Sequence, residues 1–197
     1  MNPAQAKSAL RQEALVRRAN VDPALREAFA ARLATQGVEI ARRNRVHIVS
    51  AYWPIDAEAD TRYLLQALAY HEFATCLPAV VARGRPLVFR RWTSGDPMVQ
   101  GAMGIFEPAA RAPEIEPTLL FVPLAAFDRG GQRLGYGAGH YDCTLSWLRI
   151  RSPIIAVGVG FACQEVPVIP QEAHDQPLDF VMTETEVIAC QAAGNGP

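Results

Sequence analysis

Lysine is almost absent from this sequence: Lys7 stands alone against eighteen arginines. Beyond Arg151 there is no lysine or arginine at all, while six carboxylates lie in that stretch. Residues 1–45, by contrast, hold nine basic and four acidic side chains. Two readings of this asymmetry stand: the basic start and the acidic end meet across a site, or they are separate solvated faces. With a net charge of −1, the chain lacks the positive excess that nucleic acid or an acidic membrane surface requires of a general partner.

Cysteine is sparse and scattered, at Cys76, Cys143, Cys163 and Cys190. No Cys-x-x-Cys pair and no Cys/His group of zinc spacing occurs, which argues for reduced thiols rather than a disulfide framework or a zinc site. Also missing are an apolar run of spanning length, a signal-type apolar segment near the start, an internal repeat and a low-complexity linker. The expectation is a cytoplasmic protein with no membrane partner, folded as a single domain over residues 1–197.

What is present alternates between helical and strand patterns. Asn2-Pro3 suits a cap and first turn, opening a helix to about Arg18 with Lys7, Arg11 and Arg18 on roughly one face. Asp22-Pro23 restarts a helix with Leu25, Ala28, Phe29, Arg32 and Leu33 in register. Residues 46–52 form an apolar strand, followed by a loop with Trp53 and Glu58 and a helix bearing Tyr63, Leu64, Leu65 and Leu68. That order puts Glu58 past the carboxyl end of a strand, where ligands of open sheets bind. Further strands are read at 73–81, at 86–92 near an edge, at 118–122, at 153–160 and, as the last, at 179–182. The Pro/Gly-rich stretch 93–117 reads as irregular. Strands alternating with helices predict a three-layer α/β fold, Rossmann-like, with a mostly parallel sheet and helices on both faces.

The chain is organised around residues 123–142, where a strand feeds a glycine-rich loop that opens a helix. Gly135, Gly137 and Gly139 alternate, so backbone N–H groups can approach an anion without interference from Cβ atoms, and the helix start adds unpaired donors and a favourable dipole. It is neither a dinucleotide fingerprint, because His140 stands where glycine is needed, nor a P-loop, because Gly-Lys-Ser/Thr is absent. A tight surface turn would have the same glycines. The concentration of Arg133, Tyr136, His140, Tyr141 and Asp142 around them favours a phosphate ligand. Taken singly, Glu58 is equally a helix-start residue, Asp142 a cap, Asp175 a turn residue, and Lys7 and Arg11 solvated cations.

Together these segments resemble the 5-formyltetrahydrofolate cyclo-ligases, also called 5,10-methenyltetrahydrofolate synthetases. The resemblance rests on Lys7-x-x-x-Arg11, Tyr52-x-Pro-x-x-x-Glu58-x-Asp-Thr, Gly104-Ile-x-Glu-Pro108, the long stretch Ala126 to Asp142, and the tail from Gln164 through Pro170 and His174-Asp175 to Leu178-Asp179. It implies an ATP- and magnesium-dependent closure of 5-formyltetrahydrofolate to 5,10-methenyltetrahydrofolate through a phosphorylated formyl group, with no side-chain nucleophile. It further implies that Lys7 and Arg11 contact ATP phosphates and stabilise phosphate charge, with Arg133, Leu134, Gly135, Tyr136, Gly137, Ala138, Gly139, His140 and Tyr141 forming the nucleotide loop. Asp142 and Asp175 would hold magnesium. Trp53 and Glu58 would hold the pterin, bordered by residues 136–140, with 5-formyltetrahydrofolate and ATP as the two substrates. Apart from the resemblance, the expected state of the chain is a monomer.

Two positions depart from the family pattern. His140 replaces a common Tyr or Phe, and Cys143 a frequent Arg. A phosphate-ligand sensor without turnover, or an ATP-dependent cyclo-ligase with another substrate, are the alternatives that remain open.

Overall fold

The computed structural model describes residues 3–101 and 103–190. Helix α1 spans Pro3–Ala19 and α2 spans Pro23–Arg43. The Asn2 cap expected for α1 lies outside the described residues. The Asp22 cap of α2 is as anticipated, its carboxylate accepting from the Ala24 and Leu25 amides at 2.7 and 3.4 Å. Strand β1 (Ile48–Ser50), helix α3 (Arg62–Tyr70), β2 (Ala74–Ala79) and the edge strand β3 (Val88–Arg91) follow. Then come the short strands β4 (Met98–Gln100) and β5 (Phe106–Pro108), and the central β6 (Leu119–Pro123). After these are a small hairpin, β7 (Ala126–Phe127) and β8 (Arg133–Leu134), helix α4 (His140–Arg151), and β9 (Ile155–Val159), β10 (Phe180–Met182) and β11 (Val187–Ala189).

Seven strands form one sheet in the order β11-β10-β9-β6-β1-β2-β3. The five inner strands run parallel, while β3 and β11 pair antiparallel at the two edges. The mostly parallel three-layer α/β architecture is thus as anticipated. Strand β6 explains the layering: Leu119 and Phe121 face the core under α2 and α3, and Leu120 and Val122 face the core under α4. Period-two alternation serves both faces, and all four side chains are buried, each contributing about 1.5–3 kcal/mol of transfer free energy. Helix α1 packs at one end, where Ala14 and Leu10 meet Ala126, Leu134, Val166 and Ile169.

Two expectations need correction. The stretch read as irregular contains the antiparallel pair β4–β5, closed by Gly101 N to Ile105 O at 2.9 Å. Its strands are three residues long and set among prolines and glycines, so no periodicity marks them; the carboxylate of Glu107, accepting from Val80 N at 3.2 Å, pins the pair to the main sheet. Strand β10 is not the last. A tight turn, with Thr183 N to Glu186 O at 2.9 Å, returns the chain as β11, again too short to show alternation.

Close packing of α2 on α3 depends on Gly37, where a Cβ would stand 2.4 Å from Leu64 Cδ1 and 3.1 Å from Phe121 Cζ. Alanine improves helix propensity by about 1 kcal/mol, but forcing a methyl between fully buried side chains costs about 1–3 kcal/mol. Gly37→Ala should therefore lower the urea midpoint at unchanged m-value. A midpoint at or above that of the parent protein would mean that Leu64 and Phe121 yield freely.

Candidate functional site

Strand β1 connects through α3 to β2 on one side, whereas β6 connects through α4 to β9 on the other, so the strand order reverses between β1 and β6. Beyond the carboxyl ends of these strands lies a cleft of about 250 Å3. Open α/β sheets bind ligands at such a switch point.

One side of the cleft is cationic. The glycine loop runs from β8 into α4, with Gly137 and Gly139 in the left-handed region at φ 98° and 68°. A Cβ at either would meet nothing, so glycine is required there by backbone conformation and not by crowding. No side chain caps α4, whose first amides therefore remain for a ligand. His140 Nδ1 is likewise buried without a partner among the described residues. Helix α1 lies against this loop. Arg11 Nε donates to Gly135 O at 2.6 Å, and Lys7 Nζ, one helical turn earlier, reaches Glu172 Oε2 and Asp175 Oδ2, both at 2.6 Å. Burial lowers the Lys7 pKa, but the hydrogen bonds and charges of Asp175 and Glu172 outweigh that and raise it, so the side chain stays charged.

The carboxylates Asp142 and Asp175 both line the cleft. Asp142, in the first turn of α4, accepts at Oδ1 from Arg133 Nη2 (3.0 Å) and from Gln176 N (3.1 Å); its cap role, considered from sequence, is not taken up. Asp175 is held by the tail around it: Glu172 N donates to its Oδ2 at 2.8 Å, Leu178 N to Gly131 O at 2.8 Å, and Arg149 Nη2 to Pro177 O at 2.7 Å. Ligand atoms of Glu172, His174 and Asp175 lie within 4.8 Å of one another. The carboxylate oxygens near this group, with Asp142 Oδ2 and Asp175 Oδ1 not hydrogen-bonded among the described residues, suit magnesium shared with phosphate oxygens, whereas His174 offers only nitrogen. Arg133 sits buried behind Asp142, where desolvation lowers its pKa against the attraction of Asp142. It supports the carboxylate from below, while Leu134 is buried against α1.

The opposite side is aromatic and acidic. Trp53, directly after β1, packs edge-on against Trp92 with centroids 5.5 Å apart. Glu58 accepts from Ile55 N at 2.9 Å through Oε2, and its Oε1 accepts from the Tyr136 hydroxyl. Burial pushes the Glu58 carboxyl above its ordinary pKa of 4.5; the Tyr136 hydroxyl, the Ile55 amide and the Arg18 charge oppose this without cancelling it. Burial and the Glu58 charge raise the Tyr52, Tyr136 and Tyr141 phenols, which stay protonated. Met103, Ile105 and Phe106 from the β4–β5 pair complete an apolar wall.

Every sequence-predicted site residue except Arg11 thus lines one cleft, and Arg11 bonds the loop that forms its floor. Three contributions were missed. Arg18 shares the helix face of Lys7 and Arg11, which was the available signal. Glu172 occupies an unassigned position within the tail motif. The apolar wall belongs to the stretch carrying Gly104-Ile-x-Glu-Pro108. The four cysteines are free, and burial pushes Cys76 up to about 12, so it stays a thiol. No helix among the described residues is long and apolar enough to cross a membrane.

The switch point of this open α/β sheet combines an uncapped helix start, cations, paired carboxylates and an aromatic acidic pocket, features that suit an anion beside a second, planar ligand. The profile of the 5-formyltetrahydrofolate cyclo-ligase family matches residues 3–184. The chain is 33% identical over 180 residues to 5-formyltetrahydrofolate cyclo-ligase of Haemophilus influenzae, covering 88% of this chain and 95% of that one. It is 34% identical over 193 residues to the Mycolicibacterium smegmatis protein of the same name, covering 93% and 95%. The solved structure of Aquifex aeolicus 5,10-methenyltetrahydrofolate synthetase superposes with a TM-score of 0.74 at 28% identity, covering 97% and 95%. The chain belongs to the 5-formyltetrahydrofolate cyclo-ligase family and is an enzyme of that class.

Proposed function

We propose that this enzyme closes 5-formyltetrahydrofolate to 5,10-methenyltetrahydrofolate with MgATP, releasing ADP and phosphate, as a cytoplasmic, single-domain monomer that needs no nucleic-acid or membrane partner. The observation that carries this reading is the placement of a cationic loop side and an aromatic carboxylate side across one switch-point cleft. On the loop side, the amides of 135–141 with Lys7 and Arg11 would bind the triphosphate. On the other, Glu58 would accept the amino and ring N–H groups of the pterin, with Trp53 as a flat wall and residues 136–140 bordering both ligands.

The folate formyl oxygen then attacks the γ-phosphorus, forming an O–P bond as the bond to the bridging oxygen of ADP breaks. N10 adds to the activated formyl carbon, losing its proton, and the C–O bond breaks to release phosphate. Lys7 and Arg11 offset the growing phosphate charge, and the two walls hold formyl oxygen and γ-phosphate in line. No side chain becomes covalently attached. Asp142 and Asp175 would hold magnesium, which when bound neutralises phosphate oxygens.

The test is absorbance of the methenyl product from 5-formyltetrahydrofolate and MgATP, with ATP and magnesium omitted in turn. Product that requires both establishes the reading. Nucleotide binding without product would instead point to a sensor or to a different substrate.

A further inference from the structure

Arg18 is the third cation on the inner face of α1, yet it does not point at the loop amides or the carboxylates Asp142 and Asp175. Its residue is 4% exposed, and its Nη1 donates to the Tyr136 hydroxyl, which in turn donates to Glu58 Oε1. The Arg18 guanidinium also lies 5.6 Å from the Tyr136 ring centroid, and Nη1 stands 4.0 Å from Glu58 Oε1. Its Nε is buried without a partner among the described residues. The backbone around it is fixed from α2: Arg26 donates to Arg18 O, and its Nη1 to Ala57 O at 2.6 Å, next to Glu58. A buried cation with so few partners is costly unless a nearby anion compensates it, and among the described residues the carboxylate within ion-pair distance is that of Glu58.

We propose that Arg18 is a positioning residue of the pterin side: through the Tyr136 hydroxyl it holds Glu58 turned into the cleft as a charged acceptor. The Tyr136 hydroxyl has one proton and donates it to Glu58, so its lone pairs must accept from elsewhere, and Arg18 supplies that donor. This orders the carboxylate before substrate arrives. The groups facing Glu58 are Arg18 from α1, Tyr136 from the glycine loop, Tyr52 after β1, Tyr141 on α4 and Asp56 on its own loop. Arg18 is the one cation among them, so its loss leaves burial and Asp56 to drive Glu58 toward the neutral acid.

The inference rests on the assignment of Glu58 to the pterin side, and its test has a reading independent of substrate. The side-chain carboxyl carbon of Glu58 is titrated by NMR in the ligand-free enzyme, with Glu58→Gln identifying the signal. Arg18→Gln should raise the Glu58 midpoint by about one pH unit, with Arg18→Lys between it and the parent enzyme. Tyr136→Phe, which keeps the ring and removes only the hydroxyl at a partly exposed residue, should also raise it. In parallel, Arg18→Gln should weaken 5-formyltetrahydrofolate binding about tenfold at neutral pH while ATP affinity stays within about twofold. An unmoved Glu58 midpoint in both Arg18→Gln and Tyr136→Phe overturns the proposal, and so does equal loss of both ligands, which would make Arg18 a helix-packing residue. A raised midpoint in an enzyme that binds no folate would sustain the positioning of Glu58 while refuting the pterin assignment.

Discussion

Lys7→Met is expected to cut ATP-dependent turnover by about a hundredfold to a thousandfold, the usual cost of deleting one pre-positioned donor at a developing charge. The ammonium already sits at the edge of the cleft, held in place by its partners. Lys7 is 8% exposed, carries three N–H donors and uses two of them on Glu172 and Asp175. One donor therefore remains for a phosphate oxygen, and the carboxylates fix its direction. Methionine keeps the stem and its packing while removing only the charge.

Stability should change far less. Breaking a dry ion pair costs about 3–5 kcal/mol, but the Glu172 and Asp175 side chains are 43% and 16% exposed, so water takes over part of the interaction. A loss nearer to 1 kcal/mol is expected. The ion pair is also insensitive to pH in the working range: Lys7 has its folded-state pKa raised above 10.5, so its contribution is complete below that value and disappears only as pH rises through the folded value. Because no other lysine exists, amine-selective labelling reports on this residue and the terminal amine alone. MgATP should protect it. Undiminished turnover in Lys7→Met, or equal labelling with and without nucleotide, would take Lys7 out of the phosphate site.

The order of strands and helices was legible because each long element carries its own period or cap: Asp22-Pro23 for α2, and the unbroken apolar run of β6. The glycine loop was legible for a different reason, since Gly137 and Gly139 adopt angles other residues avoid, and such positions are marked by residue type. What stayed hidden depends on contacts across sequence. Nothing local marks the β4–β5 pair, whose strands are pinned by Glu107 to Val80, or β11, which exists because β10 offers it an edge. The ion pairs of Lys7 join residues 165 and 168 positions apart. Charge asymmetry anticipated that the basic start could meet the acidic end, but not which carboxylates would be engaged. Arg133 illustrates the same limit: its motif position suggested a ligand contact, and only tertiary packing adds its ion pair with Asp142.

Glu58→Gln is expected to lower kcat/KM for 5-formyltetrahydrofolate by about a hundredfold, the value of a charge-assisted hydrogen bond pair in a buried site, while leaving ATP binding intact. The same change should stabilise the ligand-free enzyme. Burial raises the Glu58 pKa above 4.5, and that net direction already includes the opposing attraction of Arg18. Between 4.5 and the folded-state value the folded protein binds more protons than the unfolded chain, so stability falls as pH rises through that window. Above the folded-state value the penalty is fully present, and below 4.5 it is gone. A neutral amide of the same shape avoids it. Thermal unfolding of the two proteins should therefore separate at neutral pH, with the glutamine form higher, and converge toward acid. Lower stability of Glu58→Gln at neutral pH would mean that pairing with Arg18 outweighs desolvation, and that the carboxylate is held for the fold. The expected result makes it a charge kept in an unfavourable place because a ligand uses it, which is the signature that distinguishes a binding group from a structural one.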